Sequence, residues 1–257
     1  MPNLGPFFEI TIYDNAGGRL YHSSDNYDFN LVISRPNLAA KLYAELTLPK
    51  EAFIMNLAGK LQVTSLEYGG GQLFKGEIFF AAEQADKIKI LAGDSFRAVQ
   101  KTGSHSLLEG LNLNNLFSSL IKDDMVLEQA KVDDFDGSLE ADYALHDKAL
   151  NLLRRYSNGE AFVEDNLVYL LRPEEGNGIV HELNHHNGLY RVTKNFAGES
   201  NPEVQLTICM TGGYLFSSGQ LINLTSEEAT GLYKVVGFKH YVNNRQALSY
   251  AWLKLLN

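Results

Sequence analysis

Apolar and polar residues alternate along most of the first third of the chain. Phe8, Ile10 and Ile12 alternate with polar residues, and the turn-forming stretch 14–18 separates them from the short segment 19–21. Further segments with strand character lie at 46–48, 61–68, 73–80 and 87–92. Because successive side chains of a strand point to opposite faces, the pattern predicts an antiparallel β unit over residues 1–92, built as a small barrel or sandwich.

The middle of the chain has a different period. Apolar residues three or four positions apart predict one helix over about 114–122 and a second over about 144–156. The apolar face of the second helix would consist of Leu145, Ala149, Leu152, Leu153 and Tyr156. Gly159 follows it where a helix favours glycine, and two short apolar segments then predict a hairpin over 161–171. These elements define a smaller α+β insert over residues 93–172.

Strand patterns return in the last third of the chain. They lie at 189–196, 204–210, 220–224, 232–242 and 247–256. Two pairs of segments echo each other: 74–80 precedes a polar turn and 88–91, and 233–238 precedes a polar turn and 252–255. The echo predicts a duplicated β unit, with its second copy over 173–257. The predicted fold is therefore mainly β, with two antiparallel β barrels flanking a short helix-containing domain.

Composition agrees with this picture and removes several classes of function. The chain has 257 residues, 45% of them hydrophobic, with 14 Phe, 13 Tyr and 22 Gly, which suits β strands and turns. A net charge of -9 gives no electrostatic reason to bind nucleic acid phosphates or anionic membranes. We see no run of 18 apolar residues and no signal-peptide pattern at the start, so we expect no membrane anchor and synthesis in the cytoplasm. Cys209 is the single cysteine, which excludes an intrachain disulfide.

One stretch imitates a zinc protease. His181, Glu182 and His185 form the H-E-x-x-H pattern, and Gly188 falls where the extended form of that pattern has its glycine. The two histidines share a metal only when a helix places them one turn apart, and the glycines and prolines around them leave no room for a long helix. The extended pattern also needs a histidine at Arg191, whose guanidinium has no lone pair to offer.

We therefore interpret the stretch as strand and hairpin residues, with Asn187-Gly188 as a two-residue hairpin turn. On a strand the two imidazoles would be roughly 13 Å apart, too far for one metal. There is no Gly-rich phosphate loop and no G-x-S-x-G elbow. The acidic pairs Glu174-Glu175 and Glu227-Glu228 are typical of solvated loops. We predict no catalytic, cofactor-binding or metal-binding residues.

The order of the segments carries more information than any single motif. "LFKGEIFF" at 73–80 belongs to a strand pair, "LLRRYSNG" at 152–159 joins a helix to a small-residue stop, and a strand, a turn and a strand follow. Near the end, Gly219–Leu224 and Gly231–His240 form two further strands. From residue 60 to 257 this order resembles the tail hub proteins of bacteriophages, the late control gene D family and its baseplate-hub relatives.

The resemblance implies a structural protein of the virion rather than an enzyme. Each chain would carry two barrels similar to the tail-tube subunit, and a homotrimeric ring would join the sixfold tube to a threefold spike or central fibre. The implied partners are sister copies, the tail tube or distal tail protein, the spike or fibre and the tape measure protein. DNA would pass through the lumen without specific binding, no cofactor would be needed, and the chain alone would bind no membrane.

Three alternatives stay open at this point. A zinc-dependent hydrolase would use His181, Glu182 and His185. Another tail-structure protein, a distal tail ring or a tube subunit, would form sixfold rings and lack the central insert. A carbohydrate-binding module would account for the number of aromatic residues.

Overall fold

The computed structural model describes residues 8–22, 28–38, 40, 42–50, 59–65, 72–94, 102–107, 128–132, 143–148, 151, 154, 160–164, 167–194, 205–211, 216–243 and 246–256. Strands predominate in these ranges, and most of them belong to one 13-stranded sheet. No helix within these ranges is long and apolar enough to cross a membrane.

The first region forms strands where the alternation predicts them. They are β1 (Phe8–Asp14), β2 (Arg19–His22), β3 (Asn30–Arg35), β4 (Tyr43–Pro49), β5 (Gly59–Ser65), β6 (Gln72–Gln84) and β7 (Lys87–Gly93). Burial alternates residue by residue in β3, β4 and much of β7, as expected for strands with one face on a core. Strand β3 is not among the strands predicted from the sequence, although its burial alternates like that of β4, with Leu31 and Ile33 on the buried face.

The middle region also contains strands, and the predicted hairpin is confirmed. Its strands are β8 (Thr102–Leu107), β9 (Glu128–Val132), β10 (Tyr143–Lys148), β11 (Glu160–Glu164) and β12 (Leu167–Leu171). Strands β11 and β12 pair antiparallel over the range expected for the hairpin 161–171. Strand β12 also pairs in parallel with β9, and β10 pairs antiparallel with β8.

The predicted helix over 144–156 is wrong in its first part. Residues 144–148 belong to β10, and the α-helical conformation is found at Asn151 and Arg154. The reason is that apolar spacing over only six residues does not distinguish a strand from a helix, and pairing with β8 decides between them. The other predicted helix, 114–122, lies outside the described residues.

The last region again follows the predicted strands and adds one. It contains β13 (Val180–Leu183), β14 (Leu189–Lys194), β15 (Leu206–Thr211), β16 (Leu221–Thr225), β17 (Thr230–Asn243) and β18 (Ala247–Leu255). The short strand β13 is the addition. Within the described chain it pairs with β16 and lies beside the main path of the sheet.

The two β regions repeat one strand order. In the first, neighbouring strands run β3-β4-β7-β6-β5-β1, and in the second they run β14-β15-β18-β17-β16-β13. All five pairings of the first unit are antiparallel. In the second unit four are antiparallel, and the pairing of β13 with β16 is parallel. The duplication that the sequence predicts is therefore present in the strand pairing. Strand β2 has no counterpart among the described strands.

The long hairpins of the two units share a bulge. In β6–β7 the register shifts between Ile78 and Phe80, which leaves Phe79 as the extra residue. In β17–β18 it shifts between Val235 and Gly237, which leaves Val236 as the extra residue. A bulge at the same place in equivalent strands fixes the alignment of the two units and increases the local twist of each hairpin.

One pairing joins the two units into a continuous sheet. Residues Phe238–Asn243 of β17 pair antiparallel with Asn30–Arg35 of β3. Gly237 stands where this contact begins, because a Cβ there would lie 2.6 Å from the carbonyl oxygen of Pro36. A single apolar cluster extends across both units and includes Ile33, Ala44, Val235 and Phe238. The domain boundaries at 92 and 172 stay predictions.

Candidate functional site

The H-E-x-x-H stretch spans the end of a strand and one short turn. His181 and Glu182 lie on β13, and His185 begins a three-residue 3-10 turn. Asn184 caps this turn: its side chain accepts a hydrogen bond from the His186 amide, 2.8 Å, while the Asn187 side chain accepts one from the Asn184 amide, 2.8 Å. The histidines are therefore not one turn apart on an α-helix, as a zinc protease requires.

The side chains of the stretch have partners within the protein. Glu182 accepts a hydrogen bond from the side-chain amide of Asn223, 3.0 Å. His185 Nδ1 donates to the carbonyl of Leu189, 3.2 Å, and its Nε2 lies 3.8 Å from the carboxylate of Glu228. The pKa of the Glu228 carboxyl is lowered. The largest cause is a hydrogen bond with the Glu228 backbone, and the second is a hydrogen bond with the Ser226 side chain. Glu182 and His185 are thus held by protein groups rather than aimed at a common metal.

Nothing in the described part of the chain forms a metal site. No three His, Cys, Asp or Glu side chains there are grouped so that they could hold an ion. Partial burial lowers the pKa of His181, and Arg191 is exposed on β14. Cys209 is buried in β15. The geometry therefore gives no support to a zinc-dependent hydrolase at His181, Glu182 and His185.

The turn itself corrects one expectation. Asn187-Gly188 does not connect two paired strands, because β13 pairs with β16 and β14 pairs with β15. Gly188 has φ +100 and ends the 3-10 turn, and the Asn187 side chain closes the cap. The Asn-Gly signal marks positive φ correctly at Gly188 but not at Asn187, which belongs to the 3-10 turn. The sequence also does not show which strands these residues lie between in the sheet.

A buried lysine connects the middle region to the second β unit. The side chain of Lys234 is fully buried on β17, where it forms an ion pair with Glu160 of β11. Its ammonium group also donates to the carbonyls of Pro173, 2.7 Å, and Glu175, 2.9 Å. Burial lowers the pKa of Lys234, and the Glu160 carboxylate opposes that shift. The sequence does not predict this cluster, because Lys234 is far along the chain from Glu160, Pro173 and Glu175.

Apolar packing joins the same two parts. Phe162 and Leu171 of the β11–β12 hairpin form a buried cluster with Val236, the bulge residue of β17. Gly219 has φ +73, and a Cβ there would meet the Phe162 ring at 3.0 Å. Gly219 begins the segment Gly219–Leu224, which resembles a segment of the hub family. The positive φ and the close Phe162 ring both favour glycine at this position.

Two strand edges carry exposed aromatic side chains. Beyond Glu77, the edge of β6 that faces β5 has no strand partner among the described residues, and β14 likewise ends the path of the sheet. Phe79 and Phe80 on β6 are 45% and 46% exposed, and Tyr190 on β14 is 69% exposed. Open edges with apolar side chains beside them are typical of surfaces that another chain covers.

Several solved structures share this fold. The 43 kDa tail protein of prophage MuSo2 from Shewanella oneidensis has a TM-score of 0.70 and 12% identity, over 95% of this chain and 96% of that one. The tail protein from Neisseria meningitidis MC58 has a TM-score of 0.69 and 8% identity, over 96% of both chains. The E. coli c3393 protein, a type VI secretion component described as structurally similar to T4 tail proteins gp27 and gp5, has a TM-score of 0.60 and 9% identity over 90% of this chain and 74% of that one.

The likeness lies in structure and not in sequence. No protein-family model matches the chain, and no curated protein matches it in sequence. Nearly the whole of this chain aligns with nearly the whole of two tail proteins. The resemblance to phage tail hub proteins is therefore confirmed at the level of the fold: this chain has the fold of phage tail proteins.

Proposed function

We propose that the protein is a structural hub of a phage tail tip or baseplate, assembled as a homotrimeric ring. The single observation that carries the proposal is the repeated strand order within a fold shared with tail proteins over almost their full length. Two related β units per chain would let three chains present six similar units to a sixfold tube. The same ring would offer threefold symmetry to a spike or central fibre.

In this proposal each unit is similar to a tail-tube subunit, and together the units form barrels that surround a lumen. The partners are the tube or distal tail protein on one side and the spike or fibre on the other, with the tape measure protein as a further contact. DNA would pass through without being held, which is supported by the net charge of -9. The protein would be a virion component without catalytic activity.

Sedimentation velocity of the purified protein tests the ring. We expect the mass of three 28.7 kDa chains, and two-dimensional averages in electron microscopy with six similar lobes around a central hole. A ring of six chains would contradict the hub and favour a distal tail ring or tube subunit. A monomer that persists at concentrations well above those in an infected cell would contradict both.

A further inference from the structure

The joint between the two β units is held on one face by the shared apolar core. Residues Phe238–Asn243 of β17 pair with Asn30–Arg35 of β3, and both Phe238 and Ile33 belong to the core cluster. Backbone hydrogen bonds fix the register of two strands but leave their twist variable, over roughly 10 to 35° between neighbours in different sheets. Strand pairing alone therefore does not set the angle between the two units.

Beside this joint, the β11–β12 hairpin covers the other face of the second unit. On β17 and β18, the opposite residues Val235 and Leu253 both belong to the core. Because successive side chains of a strand alternate between faces, the next opposite pair, Lys234 and Lys254, lies on the face turned away from the core. Glu160 of the hairpin forms ion pairs with both of these lysines. The hairpin is thus attached to the second unit on the side that the core does not cover.

The same hairpin also reaches the first unit. Phe162 of β11 is fully buried in a cluster that contains Val236 of β17 and Leu38, which follows β3. The guanidinium group of Arg35, the last residue of β3, lies over the Phe162 ring, with its Cζ 5.9 Å from the ring centroid. At this distance a cation is attracted to the face of an aromatic ring. One buried ring of the hairpin is therefore shared by groups from both units.

Arg35 is anchored firmly to the first unit. Its buried side chain forms an ion pair with the buried side chain of Asp94, 3.3 Å, directly after β7. The amide of Asp94 in turn donates to the carbonyl of Leu42, 3.2 Å. Arg35 also lies opposite Phe238, where the joint begins. Since separating a buried charge from its partner is costly, the cation over Phe162 is held by the first unit and cannot simply follow the hairpin.

We propose that the β11–β12 hairpin is a clamp that fixes the angle between the two β units, and that Phe162 is the residue through which it acts on both. With the core on one face and the hairpin on the other, bending about the joint in either direction separates close-packed side chains. The clamp is a property of the single chain and does not depend on the ring proposed above. In such a ring, a fixed angle would let every chain contribute the same arc.

Hydrogen exchange of the full chain, followed by mass spectrometry, tests the clamp. Phe162→Ala removes the shared ring and leaves the ion pair between Lys234 and Glu160 in place. We expect the backbone amides of 30–35 and 238–243 to exchange about tenfold faster, because the joint can then open locally without unfolding either unit. Amides of the paired strands β5 and β6, which lie away from the joint, should change less than about twofold. Phe162→Leu keeps most of the apolar volume but removes the aromatic face, and should give the same pattern with a smaller change.

Val63→Ala is the matched control. Val63 is fully buried on β5, which β4, β7 and β6 separate from β3 along the sheet. This change weakens the core of the first unit at a distance from the clamp, so exchange should become faster in β5 and β6 and change little at 30–35 and 238–243. If the Phe162 variants exchange like the wild type at the joint, or faster by the same factor in every strand, the clamp is overturned. A wild-type protein that is not trimeric would contradict the ring and leave this test of the clamp intact.

Discussion

His240 lies fully inside the protein at the joint between β17 and β3, between groups that suit a neutral imidazole. Its Nε2 donates to the carbonyl of Phe216, 3.2 Å, and its Nδ1 accepts from the hydroxyl of Ser249, 2.8 Å. The ring also stacks on Phe238, with centroids 4.8 Å apart. Burial lowers the pKa of His240 to about 4, although the Phe216 carbonyl favours the protonated form. Protonation would place a charge inside the sheet joint without a carboxylate to balance it.

The stability of the fold should therefore fall in mild acid. The unfolded chain binds this proton near the ordinary pKa of 6.5 and the folded chain only near 4, so the stabilisation is present above pH 6.5 and is lost as the pH falls towards 4. We expect a loss of about 2.4 kcal/mol in the free energy of unfolding between pH 7 and pH 4.5, measured by urea denaturation at the two pH values. Carboxylates titrate in the same range, so the control is His240→Gln, whose pH dependence should be smaller. Equal pH dependence in both proteins would contradict this prediction.

At the same scale, the residues of the H-E-x-x-H stretch should hold no zinc. Among the described residues, His181, Glu182 and His185 belong to no group of three side chains that could hold an ion. Elemental analysis of protein purified without chelators should find far less than one zinc per chain, and His181→Ala should leave the zinc content unchanged. One zinc per chain that disappears in this variant would revive the hydrolase alternative.

At the scale of elements, a buried ion pair and an apolar cluster contribute to the attachment of the β11–β12 hairpin. Lys234 bonds to Glu160 and to backbone carbonyls of the segment that leaves the hairpin. Phe162 covers Gly219 and packs against Val236. A buried ammonium group is tolerated here because several acceptors surround it, and its removal would take a charged donor away from Glu160 and from those carbonyls.

Replacing Lys234 by Met should destabilise the fold by about 3 kcal/mol, which is typical when one partner of a buried pair is removed. The matched control is Lys254→Met. Lys254 is partly exposed and lies 3.6 Å from the other oxygen of Glu160, so this change should cost less than about 1 kcal/mol. Urea denaturation of both variants measures the difference. Similar losses in the two variants would show that the Lys234 pair does not hold the hairpin.

Most strands with one buried face could be predicted from the sequence, with β3 as an exception, whereas elements defined by a distant partner could not. The alternation in β4, β7 and β18 directly reflects the core that they cover. Strand β10 was mistaken for part of a helix because its pairing partner, β8, is a Gly- and Ser-containing segment without a strand pattern. The partners of Lys234 could not be predicted from the sequence either, because Glu160 and the segment 172–175 are close to Lys234 only in the folded chain.

At the scale of the whole molecule, the repeated strand order is the main structural support for the proposed ring. The short echo between 74–80 and 233–238 proved to mark two units with one strand order and one bulge position. The sequence does not show that the second unit joins the first through β17 and β3, because no local signal sets the order of strands along a sheet edge.

The joint between β17 and β3 also determines when the protein can become complete during its synthesis. Strand β3 is made long before β17, the strand that pairs with its outer edge. Until β17 follows, the described part of the first unit lacks this partner, and strand edges without partners favour wrong pairing between nascent chains. Contacts of such long range also slow folding. Newly made chains should thus depend on chaperones until the β17–β18 hairpin is made and pairs with β3.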